Sequence, residues 1–143
     1  YRVVVAISVA QAILESDWGR SRFALEGSNY YGIIETDSTE PHMKSQNSSV
    51  LLKKYKNRCE SVADYIALLN ASSAFVEYRD LRLQQYITDN VDVFLIIETL
   101  KNYAIDPEYT EKLRTITLGL FQKYPDIFKS EEIWQYYNNN KNT

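Results

Sequence analysis

The sequence predicts a mainly α fold, a helical bundle body with one small β-lobe, and three features carry that prediction. A nearly unbroken apolar run, residues 3–14, opens the chain. It is too long and too alanine-rich for a typical strand and too short to span a bilayer. From Cys59 onward, apolar residues recur at helical spacing in segment after segment. Between the two, residues 32–49 are polar and irregular, with Pro41 and a Ser/Asn cluster, which is loop and turn chemistry.

Residues 2–16 are expected to form the first helix, apolar on most sides and therefore central and buried. Glu15 falls in its last turn, with Ser8, Gln11 and Ala12 one or two turns back on the same face. Residues 17–31 are a turn-rich connector broken by Gly19, Gly27 and Asn29; residues 21–24 fit a short helical turn. Residues 50–55 read as a short strand, with residues 31–36 as its partner. Ser61 and Asp64 resemble a capping box with Asp in the usual Glu/Gln place. Val62, Tyr65, Ile66 and Leu69 then repeat at helical spacing. After a break at residues 70–73, a helix over residues 74–85 carries Phe75, Tyr78 and Arg82 on one stripe. Residues 88–90 break it. Residues 91–104 form the next helix, with Val93, Ile96, Ile97 and Leu100 facing inward. Asp106-Pro107 is a start signal, Asp at the N-cap and Pro at the first helical position. The helix beyond carries Tyr109, Leu113, Ile116 and Leu120. Pro125 separates it from a last amphipathic piece, residues 130–137, and the Asn-rich residues 138–143 are expected to fray.

A chain of 143 residues is expected to be a single domain, residues 1–143. Sixteen Lys+Arg against nineteen Asp+Glu give a net charge of −3, which argues against a dedicated nucleic-acid binder. Twelve tyrosines offer flat faces with hydroxyls, suited to sugars, although most are expected to pack between helices. The single cysteine, Cys59, excludes an internal disulfide framework, and His42 is the only histidine. Neither a Cys–His nucleophile nor a zinc site is expected. The chain starts inside its first helix, without a charged leader or cleavage site. It therefore reads as an excised domain or processed product whose address lay upstream.

Glu15 is the residue with the most specific physics. A carboxylate at a helix C-terminus faces the negative end of the macrodipole. A neighbouring indole, Trp18, would exclude water. Both effects disfavour the ionised form and raise the pKa. A carboxylic acid still protonated near neutral pH can protonate a leaving group. The plain alternative is a solvated helix-end residue.

Residues 11–21, Gln-Ala-Ile-Leu-Glu-Ser-Asp-Trp-Gly-Arg-Ser, resemble the A-Q-A-x-x-E-S-x-W-G-x-S signature of bacterial glucosaminidase domains, glycoside hydrolase family 73. The match continues through residues 22–33, similar to the family's N-N-L-F-G-I stretch, with Tyr30 and Tyr31 in place of Leu-Phe. Residues 60–70 resemble its E-S-V-x-D-Y-I-x-x-L-N helix, and residues 102–113 its Y-A-T-D-P-x-Y-x-x-K-L segment. The nearest flavour is the Bax-like subgroup. The resemblance implies a lysozyme-like α+β fold with a substrate cleft between body and β-lobe. It implies cleavage of the β-1,4 bond after N-acetylglucosamine in peptidoglycan, or a related N-acetylglucosamine-containing glycan, with Glu15 as proton donor. Most glycosidases use two carboxylates. The β-lobe offers Glu35, Asp37 and Glu40; Glu40 is preferred and Glu35 is next. The substrate's own acetamido group can stand in for the second acid. Tyr103, Gln11, Tyr31, Trp18 and Tyr78 are the implied substrate-binding residues, Tyr103 by its place in the Y-A-x-D-P block. No metal, organic cofactor, nucleic acid or membrane-spanning segment is implied, and the implied location is the cell envelope, periplasmic or secreted. Three rivals stay open: a lytic transglycosylase on the same polymer, a non-catalytic glycan-binding module, and a helical interaction domain with a chance motif, against which the four ordered blocks argue.

Overall fold

A computed structural model describes residues 3–128. They form seven α-helices and one small sheet of three strands, the mainly helical architecture that the periodicity predicts. The chain divides into two compact units, one holding residues up to Ala10 and from Leu69 onward, the other Gln11–Leu68. None of the helices is long and apolar enough to cross a membrane. The expected helix over residues 130–137 and the tail at 138–143 lie outside the described residues.

The first helix, α1, is Val5–Ser16. Ala6, Ile7, Ala10 and Gln11 are buried along it while Val5 is 64% exposed, so one side of the apolar run does face solvent.

In the first unit, α4 (Val76–Thr88), α5 (Val93–Glu98), α6 (Tyr109–Lys123) and α7 (Pro125–Phe128) pack in sequence on one another. A 3-10 turn, Ser73–Phe75, leads into α4, and the stripe Phe75, Tyr78, Arg82 is buried as its spacing predicts. Asp89 adopts φ 50 and ends α4. Asp92 caps α5, its carboxylate accepting the N–H groups of Phe94 and Leu95. The helix expected over 91–104 is only six residues long. Thr99 and Leu100 donate to the carbonyls three residues back, and Tyr103 does the same to Leu100. This tightened geometry cannot continue an α-helix. The inward positions Val93, Ile96, Ile97 and Leu100 are nonetheless buried. Asp106 does not sit at the N-cap itself, which is Glu108; its carboxylate accepts the Glu108 N–H and so builds the turn that starts α6. Thr117, not Ile116, is fully buried on α6 together with Leu113, and its hydroxyl donates to the Leu113 carbonyl.

The second unit begins with the end of α1. Next comes α2, Arg22–Gly27, where Ser21 accepts the Ala24 N–H as N-cap and Ser28, at φ 50, closes the other end. Gly27 is thus the last residue of a helix rather than a breaker within a loop. The sheet has the order β1-β3-β2, all antiparallel, from β1 (Ile34–Glu35), β2 (His42–Lys44) and β3 (Leu51–Lys53). The β1/β3 pair matches the expected one; β2 has too short and polar a sequence to announce itself. A Cβ on Gly27 would lie 2.4 Å from Met43 Sδ, so glycine lets α2 approach β2 without displacing that side chain. Helix α3, Arg58–Ala71, starts three residues before the expected box. Asn57 accepts the Glu60 N–H, and Glu60 reaches back to the Lys56 N–H. Ser61 lies within the helix and donates to the Arg58 carbonyl. Asp64 is left for another task, described below.

Candidate active site

Glu15 ends α1 half-buried. The three residues after Ser16 are all left-handed: Asp17 at φ 49, Trp18 at φ 59 and Gly19 at φ 74. Two of them are not glycine, and each such residue holds about 1–3 kcal/mol of strain. The turn is tied down at several points. The Ser16 hydroxyl donates to the Ala12 carbonyl and accepts the Gly19 N–H at 2.8 Å. Trp18 N–H donates to the Ile13 carbonyl, and Ser21 N–H to that of Ser16, each at 3.0 Å. Arg20 pairs with Asp17 on the exposed surface.

Opposite Glu15 stands Gly32, at φ +65. A Cβ built there would lie 2.9 Å from Glu15 Oε2 and 3.7 Å from its Cδ. The carboxyl group therefore rests against bare backbone. The segment carrying Gly32 is pinned by Asn29, which is buried. Asn29 Nδ2 donates to the carbonyls of Ile33 and Lys53, both at 3.0 Å, and its Oδ1 accepts the Ile33 N–H at 3.1 Å. One side chain thus closes the 29–33 loop and fastens it to β3.

Tyr31, next to Gly32, is buried and stacks on Tyr65 of α3, ring centroids 4.0 Å apart at 9°. The Tyr65 hydroxyl donates to Gln11 Oε1, and both residues are fully buried. Gln11 and Glu15 are one helical turn apart on α1. The path Gln11–Tyr65–Tyr31–Gly32–Glu15 therefore returns to the helix it left.

The sheet places the other acids. Glu35 is half-buried on β1, and one of its oxygens accepts the Asp37 N–H at 2.9 Å. Asp37 is exposed and caps a local turn; hydrogen bonds from the Thr39 hydroxyl and N–H hold its carboxyl below the usual range. Glu40 is exposed in the β1–β2 connection, where its carbonyl contacts His42 Nδ1 at 2.8 Å. Asp64 receives the Tyr55 hydroxyl at 2.6 Å and Lys53 Nζ at 3.0 Å, tying β3 to α3. Burial, the bond to Asp64, and the charges of Asp64 and Glu35 all push the Tyr55 hydroxyl well above its ordinary range.

Of the residues singled out from sequence, Glu15, Gln11 and Tyr31 come together in this unit. Gln11 has no solvent exposure, so it can hold neighbours but not touch a ligand. Trp18 is 63% exposed; it is a solvent-facing plate rather than a water-excluding wall. Tyr103 and Tyr78 belong to the first unit. Tyr103 is half-buried and stacks on Tyr109 at 5.8 Å, with Phe75 tilted beside it at 5.9 Å. Tyr78 is buried, and burial pushes its hydroxyl up. Sequence reasoning passed over Gly32, Asn29 and Tyr65 as positioning residues. A glycine directly after two tyrosines was the available signal for the first. Asn29 looked like a loop former, and Tyr65 like any apolar helix position.

A sequence model described as glucosaminidase, "Mannosyl-glycoprotein endo-beta-N-acetylglucosaminidase", matches residues 1–120. The exo-glucosaminidase LytG of Bacillus subtilis (strain 168) is 28% identical over an alignment that covers 93% of this chain. The chain spans 48% of that relative's length. Among solved structures, a peptidoglycan hydrolase from Sphingomonas sp. A1 superposes with a TM-score of 0.64 at 22% identity, over 87% of this chain and 82% of that one. The glycoside hydrolase domain of Salmonella typhimurium FlgJ gives 0.60 at 24% identity, over 96% and 84%. At such identities the two structures attest the fold.

Proposed function

The chain belongs to the glucosaminidase family, and on that premise we propose that it hydrolyses peptidoglycan at the β-1,4 bond after N-acetylglucosamine. The setting of Glu15 is the observation that carries this reading: a helix-end carboxyl group placed against the backbone of Gly32. Glu15 protonates the glycosidic oxygen as the C–O bond breaks. Water adds to the anomeric carbon, and its proton passes to a base. Glu40 is assigned as that base first, since its carboxylate is exposed and forms no ion pair among the described residues. Glu35 is second, because one of its oxygens already accepts the Asp37 N–H. The substrate acetamido oxygen is the alternative to both. Trp18 offers a plate for a sugar face. Tyr31 and Gln11 act behind the acid, and Tyr78 supports the first unit from within. The scheme calls for no metal or organic cofactor. It places the protein's work in the cell envelope or outside the cell.

The test is digestion of purified peptidoglycan by the protein and by Glu15→Gln, followed by borohydride reduction and mass spectrometry. Fragments ending in reduced N-acetylglucosamine from the native chain alone support the reading. Anhydro-ended fragments would make it a lytic transglycosylase. Binding by both proteins with no release would make it a glycan-binding module. Single sugars rather than internal fragments would mark exo cleavage, the activity in the name of the Bacillus relative.

A further inference from the structure

We propose that Tyr65 is a positioning residue for the acid: its ring and hydroxyl, held between Tyr31 and Gln11, fix Gly32 against the Glu15 carboxyl group. The inference rests on the hydrolase reading above and adds a residue to it. Tyr65 lies on α3, fifty residues beyond Glu15 in the chain, and touches no solvent. It therefore acts only through its neighbours.

Two of those neighbours are bound to it by specific contacts. A centroid distance of 4.0 Å at 9° is a close parallel stack, so the plane of Tyr65 sets the plane of Tyr31. Tyr31 and Gly32 share a peptide unit, and a rotation of Tyr31 about its backbone moves the Gly32 Cα with it. Gly32 has no side chain to absorb that movement, and its ideal Cβ position already lies 2.9 Å from Glu15 Oε2. On its other edge, the Tyr65 hydroxyl donates to Gln11, one turn below Glu15 on the same helix. One ring thus references both walls of the acid's position to each other. Asn29 fixes the loop to β3 independently, so Tyr65 governs the approach of loop to helix rather than the existence of the loop.

The substitutions separate ring from hydroxyl. Tyr65→Phe keeps the stack and removes the donor to Gln11. Tyr65→Leu removes both. Phe121→Leu, a buried ring of the first unit packed edge-on to Phe128, serves as a core lesion outside the site. The assay is turnover of soluble peptidoglycan fragments of defined length, with kcat and KM separated, at a temperature where thermal melts show every variant folded. A misplacement of about 1 Å costs on the order of 10²-fold in rate. Tyr65→Leu is expected to lower kcat about 10²-fold, and Tyr65→Phe about tenfold, with KM unchanged. Phe121→Leu is expected to lower Tm and leave kcat at the native value. If Tyr65→Phe, and Tyr65→Leu where it folds, lower Tm but leave kcat native, or change KM alone, the positioning role is overturned. An active native chain silenced by Glu15→Gln confines that failure to Tyr65. A native chain that releases nothing overturns the hydrolase reading and this one with it.

Discussion

Gly32→Ala tests the contact on which the site depends. Two terms add. At φ +65 an alanine carries a left-handed penalty of about 1–2 kcal/mol. In a chain of this size, one kcal/mol moves Tm by about 4 °C, so a fall of roughly 4–8 °C is expected. The second term is local. The new methyl would start 2.9 Å from Glu15 Oε2, and ordinary contact begins at 3.4 Å. The carboxyl group must therefore retreat by the difference, about 0.5 Å. If a full ångström costs about 10²-fold, half of that costs about tenfold in kcat. The assays are a thermal melt and the release of reduced ends from peptidoglycan, run well below the lower Tm. Gly119→Ala is the companion: it lies within α6 with nothing within 4 Å of a built Cβ. It is expected to gain about 0.5–1 kcal/mol with native kcat. A Gly32→Ala protein that loses its 4–8 °C and turns over at the native rate would refute the placement of the acid by this backbone.

Asn29→Ala leaves the Ile33 and Lys53 carbonyls and the Tyr31 and Ile33 N–H groups to find other partners, and is expected to cost about 3–4 kcal/mol, read as a drop in urea midpoint at unchanged m. Glu40→Gln is expected to lower kcat by about 10²-fold or more and Glu35→Gln by less than tenfold; if the double variant keeps its rate, the acetamido group supplies the second function. The Tyr55 hydroxyl is held up in the folded chain, so the stability it lends is complete below the unfolded tyrosine value near pH ~10 and is lost as pH rises beyond it. Tyr55→Phe should therefore flatten the fall of unfolding free energy above that pH by up to about 1.4 kcal/mol per pH unit; an unchanged alkaline limb would show that Tyr55 does not carry it.

The parts of this protein legible in its sequence are those whose physics is local. The apolar periodicities of α1, α3 and α4 and the inward set of α5 follow from one residue's spacing to the next. So does the position of Glu15 at a helix end. The missed features depend on distant residues. The β2 strand exists because Leu51–Lys53 is there to pair with it. The length of α5 was set by Thr99 and Leu100 turning to carbonyls three residues back. Asn57 displaced Ser61 as the start of α3 because Glu60 could close the box on the Lys56 N–H. Gly32 is a loop glycine in sequence and becomes the acid's wall only when residues 29–33 fold back on α1.

The composition of that wall matters to the chemistry. Gln11, Tyr31, Gly32 and Tyr65 are all uncharged. A lysine or arginine in any of these places would favour the ionised form of Glu15, against the proposed role of proton donor. These neutral groups set where the carboxyl group stands. The last carbonyls of α1 oppose a negative charge nearby. The left-handed turn at residues 17–19 then has a reason. A helix continuing past Ser16 would carry the negative end of its dipole away from Glu15; stopping it there, at the expense of two strained non-glycine residues, leaves the carboxyl group in the last turn. That strain persists because Ser16, through Ala12 and Gly19, and Trp18, through Ile13, hold the turn closed from both sides.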